Sequence, residues 1–145
     1  MKTNYALKAM VAVLLMVQFS FTVPPAPAKF KVDTKASSVV WTGKKVTGAH
    51  NGNVQISGGE LVAEGKAIKQ GTFEIDLTTI TVTDIEDPGS NAKLVGHLKS
   101  DDFFGVAKHP KAKFEITSVT PTSGNDYAVK GKLTIKGVTN DIEFP

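Results

Sequence analysis

From Lys29 to the C-terminus, apolar and polar residues alternate with a period of two. Phe30 and Val32 alternate with lysines, and Val39 and Trp41 alternate with Ser38, Val40 and Thr42. Phe73, Ile75 and Leu77 alternate with Thr72, Glu74 and Asp76. The longest run sets Tyr127, Val129, Gly131, Leu133 and Ile135 against Ala128, Lys130, Lys132, Thr134 and Lys136. Val138, Ile142 and Phe144 repeat it against Thr139, Asp141 and Glu143. Successive side chains of a strand point to opposite faces, so this pattern predicts antiparallel strands with one face on a core and one in water. Turn signals punctuate the runs at Asn51-Gly52, Ser57-Gly58-Gly59, Glu64-Gly65, Gln70-Gly71, Ser123-Gly124-Asn125-Asp126 and Lys136-Gly137. Glycine and asparagine there supply the positive φ that tight turns need. About eight strands follow, at the spacing of a sandwich or barrel.

One segment leaves the pattern. After the polar turn Asp84-Ile85-Glu86-Asp87-Pro88-Gly89, residues Ser90 to Gly105 read as helical. Asn91 is placed to cap a short helix whose Leu94 and Leu98 share a face at i, i+4. Ser100 is placed to cap a second turn, with Asp101 and Asp102 near its positive end. Phe103 and Phe104 then deliver two rings to the layer beneath, and His109-Pro110 ends the excursion because a residue before proline avoids the helical region. A greasy helix set among strands is positioned to cover one end of a cavity.

The first 28 residues belong to another problem. Lys2 and Lys8 precede an apolar run from Ala9 to Val23, and Ala26-Pro27-Ala28 supplies a small-x-small motif. These are the parts of a secretory leader cleaved before Lys29. The run is shorter than the roughly 20 residues of a spanning helix and exits through Pro24-Pro25. Removing 28 of 145 residues leaves 117, enough for one domain over residues 29–145. Two of the 17 basic residues leave with the leader, so 15 lysines face 14 acids, a net charge of +1. That balance, with no basic run, speaks against nucleic acid as a partner. Every basic residue is lysine, so no guanidinium fork is present to recognise phosphate or carboxylate. With no cysteine, the domain stands on its core without disulfides.

Catalytic chemistry has little to build on. His97 and Asp101 stand at i, i+4, where a carboxylate would orient an imidazole, but no cysteine and no Gly-x-Ser-x-Gly turn supplies a nucleophile. His50, His97 and His109 lie in three local settings without ligand spacing, so no metal site is expected. Glu74 and Asp76 share the wet face of a strand, where solvated charges are ordinary. Trp41 points inward with Val39, as an aromatic wall or a plain core residue.

Several blocks occur together and in order: Trp41-Thr42-Gly43, Gly48-Ala49-His50-Asn51-Gly52, Gly71-Thr72-Phe73-Glu74-Ile75-Asp76, Gly96-His97-Leu98-Lys99-Ser100 with Phe103-Phe104, His109-Pro110 before Phe114, and Gly131-Lys132-Leu133-Thr134-Ile135-Lys136-Gly137-Val138-Thr139. They resemble the YceI-like family of exported polyisoprenoid-binding proteins over nearly all of the chain after the leader. The resemblance implies an all-β fold, an antiparallel lipocalin-like β-barrel with a short helical insertion covering one end. It implies a non-enzymatic role, with a long isoprenoid lipid such as a quinone tail or polyprenyl phosphate held inside and no other cofactor. Members of the family continue past the strand that ends here at Phe144-Pro145, so the barrel is expected to lack its last strands.

Alternation supplies the wall that such a tail would meet: Trp41, Val54, Ile56, Leu61, Phe73, Ile75, Leu77, Phe114, Val129 and Leu133. Leu94, Leu98, Phe103 and Phe104 form the cover, and His97, Lys99 and Ser100 are the candidates to meet a polar head. The expected setting is export, to a periplasm where an outer membrane encloses one and otherwise to the outside. No stable membrane insertion is expected once the leader is gone, and a homodimer is compatible with the reading. Two alternatives stand beside it: a hydrolase or isomerase using His97 on an apolar substrate, and a ligand-free interaction module with a filled core.

Overall fold

A computed structural model describes residues 26–145. The expected leader thus lies outside the described residues except for Ala26-Pro27-Ala28. Seven strands make one antiparallel sheet: β1 (Ala28–Lys31), β2 (Ser38–Lys45), β3 (Gly48–Glu64), β4 (Ala67–Asp76), β5 (Lys111–Pro121), β6 (Tyr127–Ile135) and β7 (Val138–Phe144). They are ordered β1-β3-β4-β5-β6-β7, with β2 also on β3. The count is below the eight expected because three turn signals lie inside strands. Asn51-Gly52 and Ser57-Gly58-Gly59 fall within the 17 residues of β3, and Gln70-Gly71 falls within β4.

Three of those glycines, Gly52, Gly59 and Gly71, have a packing reason. A Cβ on Gly52 would run into the carbonyl of Thr81, because the segment after β4 comes back along β3 there. The amides of Thr81 and Thr83 donate to the carbonyls of Asn53 and Asn51 at 2.9 and 3.0 Å. At Ser57 the β3–β4 register slips by one residue, a β-bulge. Val54 and Ile56 face inward before it and Leu61 after it, so the bulge changes which parity looks inside and bends the strand. A second slip at Thr117 does the same between β5 and β6.

The bent β3 serves two neighbours on one edge, β2 along Gly48–Gln55 and β1 along Glu60–Ala63. The edges formed by β7 and by β1 with β2 are not hydrogen-bonded to each other. The fold is therefore the expected antiparallel sheet wrapped around an interior, but with an open seam in place of a closed barrel.

After β4 the chain makes a single 3₁₀ turn, Leu77–Thr79, whose Thr78 amide donates to the Asp76 carboxylate at 3.0 Å, while the Leu77 amide donates to the Pro110 carbonyl at 2.9 Å. Leu77 thus leaves the strand alternation and is buried beneath the turn. Helix α1 (Pro88–Lys99) follows, with Asp87 as its cap: the carboxylate accepts the Ser90 amide at 2.8 Å, and Pro88 fills the first position, where no amide is needed. The Ser90 hydroxyl, and then the Ser90 amide, hold the Asp87 carboxyl below the usual carboxylate range. Asn91, expected as the cap, lies one turn inside, and its side-chain amide donates to the carbonyls of Val82 and Ile85, both at 3.0 Å. Ser100 ends the helix and starts no second one; its amide and hydroxyl both return to the His97 carbonyl. Residues 101–104 form a non-helical turn closed by Gly105 at a φ of 57°. Among the described residues, no helix is long and apolar enough to cross a membrane.

The buried core lies at the helical end. Val54, Leu77, Ile80, Val82, Leu98, Val106 and Ala112 form it, with Trp41, Leu94 and Phe104 packed against it.

Candidate functional site

Below that core the inner face of the sheet is hollow. A cavity of about 550 Å³ is walled by Val39, Ile56, Leu61, Ile68, Phe73, Ile75, Phe114, Ile116, Val129, Leu133, Ile142 and Phe144. Every one of these 12 side chains is aliphatic or aromatic. Their placement follows from register. Phe73 pairs with Phe114, and Phe114 with Leu133, so three inward rings and chains stand in a row across β4, β5 and β6. The Phe73 and Phe114 rings stack at 6.4 Å, and Phe144 leans on Phe114 at 5.5 Å. Gly131, opposite Ile116, makes that row possible, since a Cβ there would strike the Phe114 ring. Val39 and Ile75 belong to both layers: they line the cavity and pack against the core, so the core is the cavity's floor.

The structure divides the sequence-derived set. Ile56, Leu61, Phe73, Ile75, Phe114, Val129 and Leu133 meet around the cavity. Val54, Leu77 and Leu98 are core residues, and Phe104 packs on them. Trp41 does face inward, but its indole N–H donates to the Thr81 carbonyl at 3.0 Å, and the ring lines a second, smaller pocket. Leu94 and Phe103 line that second pocket as well, together with Leu98 and His97. Phe103 does not press inward as expected: it is 48% exposed and lies edge-on to Phe104 at 4.8 Å.

Sequence reasoning missed Val39, Ile68, Ile116, Ile142 and Phe144 as walls. Val39, Ile142 and Phe144 carried the alternation signal, whereas Ile68 and Ile116 stand beyond the runs whose parity was read.

The polar candidates are scattered. The Lys99 ammonium donates to the Thr78 carbonyl at 2.7 Å and ties the helix end to the 3₁₀ turn. The Ser100 hydroxyl is spent on the helix C-terminus. His97 faces the Phe103 ring at 6.0 Å. Its expected partner Asp101 is outside the helix, bonded to Lys108 at 2.7 Å, and that cation holds the Asp101 carboxyl below the usual range. The His97–Asp101 pair therefore does not form.

His50, in contrast, has a carboxylate: its Nδ1 lies 2.9 Å from Asp84. Partial burial pushes the Asp84 carboxyl up, but the Asn51 amide and the His50 ring outweigh it, and the net shift is downward. Glu74 lies on the outer face, hydrogen-bonded to Lys111 at 2.6 Å and lowered by that bond. Asp76 is a turn cap. The two do not act as a pair.

The YceI-like domain family model matches residues 30–145. A "UPF0312 protein" of Shewanella denitrificans is 32% identical over 84 residues, 58% of this chain and 41% of that one. Protein YceI of an Escherichia coli strain is 36% identical over 67 residues, 46% of this chain and 35% of its own. The chain thus matches less than half the length of either relative. Among solved structures, the YceI protein of Campylobacter jejuni is similar over 99% of this chain and 66% of that one, at 18% identity and a TM-score of 0.46.

Proposed function

The chain belongs to the YceI-like family, and from that premise we propose that it is a non-enzymatic, exported binding protein that holds the hydrocarbon tail of an isoprenoid lipid in its cavity. The observation that carries the reading is the wall: a hollow of about 550 Å³ with no polar side chain in its lining. Such a surface has no group to activate a bond, but it removes hydrocarbon from water. At about 30 Å³ for each water-sized group, the hollow takes roughly 18 non-hydrogen atoms, between three and four isoprene units. Each five-carbon unit contributes roughly 3 to 4 kcal/mol at about 0.8 per carbon. Three units supply roughly 10 kcal/mol, and an association cost of about 4 kcal/mol leaves about 6, enough for binding at tens of micromolar. Phe144, 41% exposed at the open edge strand, leaves the hollow reachable from water, which suits a ligand that must load and leave.

A reaction at His97 is not proposed, since Asp101 is turned to Lys108 and the imidazole lies against Phe103 rather than on the cavity wall.

Native mass spectrometry of the chain, secreted and purified without detergent, followed by solvent extraction, tests the proposal. A stoichiometric isoprenoid adduct is the expected result. A clean unliganded mass that persists after incubation with a short-chain quinone and with a polyprenyl phosphate would leave a sheet that binds no isoprenoid.

A further inference from the structure

The second pocket has a different chemistry and a different address. It measures about 320 Å³ and lies between the β2–β3 hairpin and α1, on the outer side of the core that floors the main cavity. Its apolar body is Trp41, Leu94, Leu98 and Phe103; Lys44, Lys45, His50 and His97 supply its polar part. No carboxylate lines it. Among the described residues, neither Lys44 nor Lys45 has an acidic partner within ion-pair distance, and the one acid beside His50 is already bonded to that ring. The aromatic floor is fixed in advance, because the Trp41 indole N–H is anchored on the Thr81 carbonyl.

We infer that this pocket is a second ligand site, selective for a small flat anion: one aromatic ring carrying a single carboxylate or comparable acid group. The ring would lie on Trp41 and Phe103, and the anion would reach the unpaired ammonium groups at the hairpin. The volume sets the size: at about 30 Å³ per water-sized group it takes on the order of ten non-hydrogen atoms, too few for a lipid tail. A rigid aromatic acid also loses little conformational freedom on binding. An ammonium beside a fixed aromatic surface favours the charged ligand over a neutral one of the same shape, and salt screens that preference. The main cavity offers no such discrimination, so the inference stands or falls independently of the isoprenoid reading.

Trp41 is the only tryptophan in the chain, so its fluorescence reports occupancy of the pocket it lines, with the main-cavity variant below as the control. The experiment is a quenching titration of the full chain with 4-nitrobenzoate and with its neutral near-isostere 4-nitrobenzamide, at low and high salt. The acid is expected to bind about tenfold more tightly at low salt, with the gap closing as salt rises. The double variant Lys44→Gln/Lys45→Gln should lose that preference, and Phe103→Ala, at an exposed position, should weaken both ligands. Lys66→Gln, at the opposite hairpin, should change nothing. Phe73→Asp, in the main cavity, should leave the titration intact while abolishing isoprenoid retention. Equal affinities for acid and amide, or a preference that survives loss of both lysines in a variant with native circular dichroism, would overturn the inference.

Discussion

At the helical end, the inward side chains of β2, β3 and β5 meet Leu98, Val106 and Phe104 and are buried. Further along the same strands, Ile56, Leu61 and Ile116 point the same way and meet only space. The two regions share residue types and backbone geometry. What differs is whether a second layer stands opposite. At one end α1 and the turn after it supply that layer; along the rest of the sheet, none of the described residues does. Apolar surface therefore holds the fold where it is covered and, on the proposed function, holds a ligand where it is not. A single hydrophobic set read from alternation mixes the two.

Substitutions of similar size should have opposite signatures at the two ends. The largest expected effect is Phe73→Asp, which puts a carboxylate on the dry wall. Isoprenoid retention should fall by at least about 100-fold, measured by extraction after native purification, because a buried unpaired charge costs several kcal/mol. A folded variant that keeps its lipid would break the comparison. Leu98→Ala comes next and should act on the other quantity. Loss of the buried side chain costs about 2 to 5 kcal/mol in denaturant unfolding, with lipid affinity changed far less than at Phe73. Gly131→Ala tests the boundary between them. Its Cβ displaces the Phe114 ring, so stability should drop by about 1 to 3 kcal/mol from overpacking, and affinity should drop with it because that ring is also a wall.

The smallest effect is at Asp84, which pins the segment after β4 through the Asn51 amide and His50. Its folded pKa is lowered from an ordinary 3.8, so its contribution is complete above that value and is lost as pH falls through the lowered one. Asp84→Asn should remove this acid sensitivity, seen as faster hydrogen exchange at the amides of Asn51 and Thr83 that no longer depends on pH over that range once intrinsic exchange is corrected for. The other sign, a variant more sensitive to acid than the parent, would show that the carboxylate does not hold the segment.

Much of this was legible in the residues. Period-two alternation located the strands, and seven cavity walls came from it directly. The break in pattern located the helix, although its cap was misplaced: Asp87 followed by Pro88 is the stronger start signal, since proline at the first position needs no amide partner. The bulges at Ser57 and Thr117 were not legible. Each adds one residue to a strand without any composition of its own, and each reverses which parity faces inside. Turn-like glycines misled for a related reason. Gly52 and Gly71 serve close approach by Thr81 and by the side chains of Leu61, Phe73 and Ile116, a contact between distant parts of the chain that local sequence does not announce. The division into a core, a main cavity and a second pocket depended on where α1 docks, which alternation says nothing about.

The floor of the cavity has one more consequence. A blind passage fixes where a ligand must stop, but it does not measure how much ligand remains outside. The seam leaves the hollow open along its side, so on the proposed function the floor alone sets a limit, and extra units beyond the rim meet no wall. Across a homologous series of prenyl chains, affinity should climb with each added unit until the hollow is full and then level off. On that reading, the depth of the hollow sets how many units contribute to binding, and whatever lies beyond them is ignored.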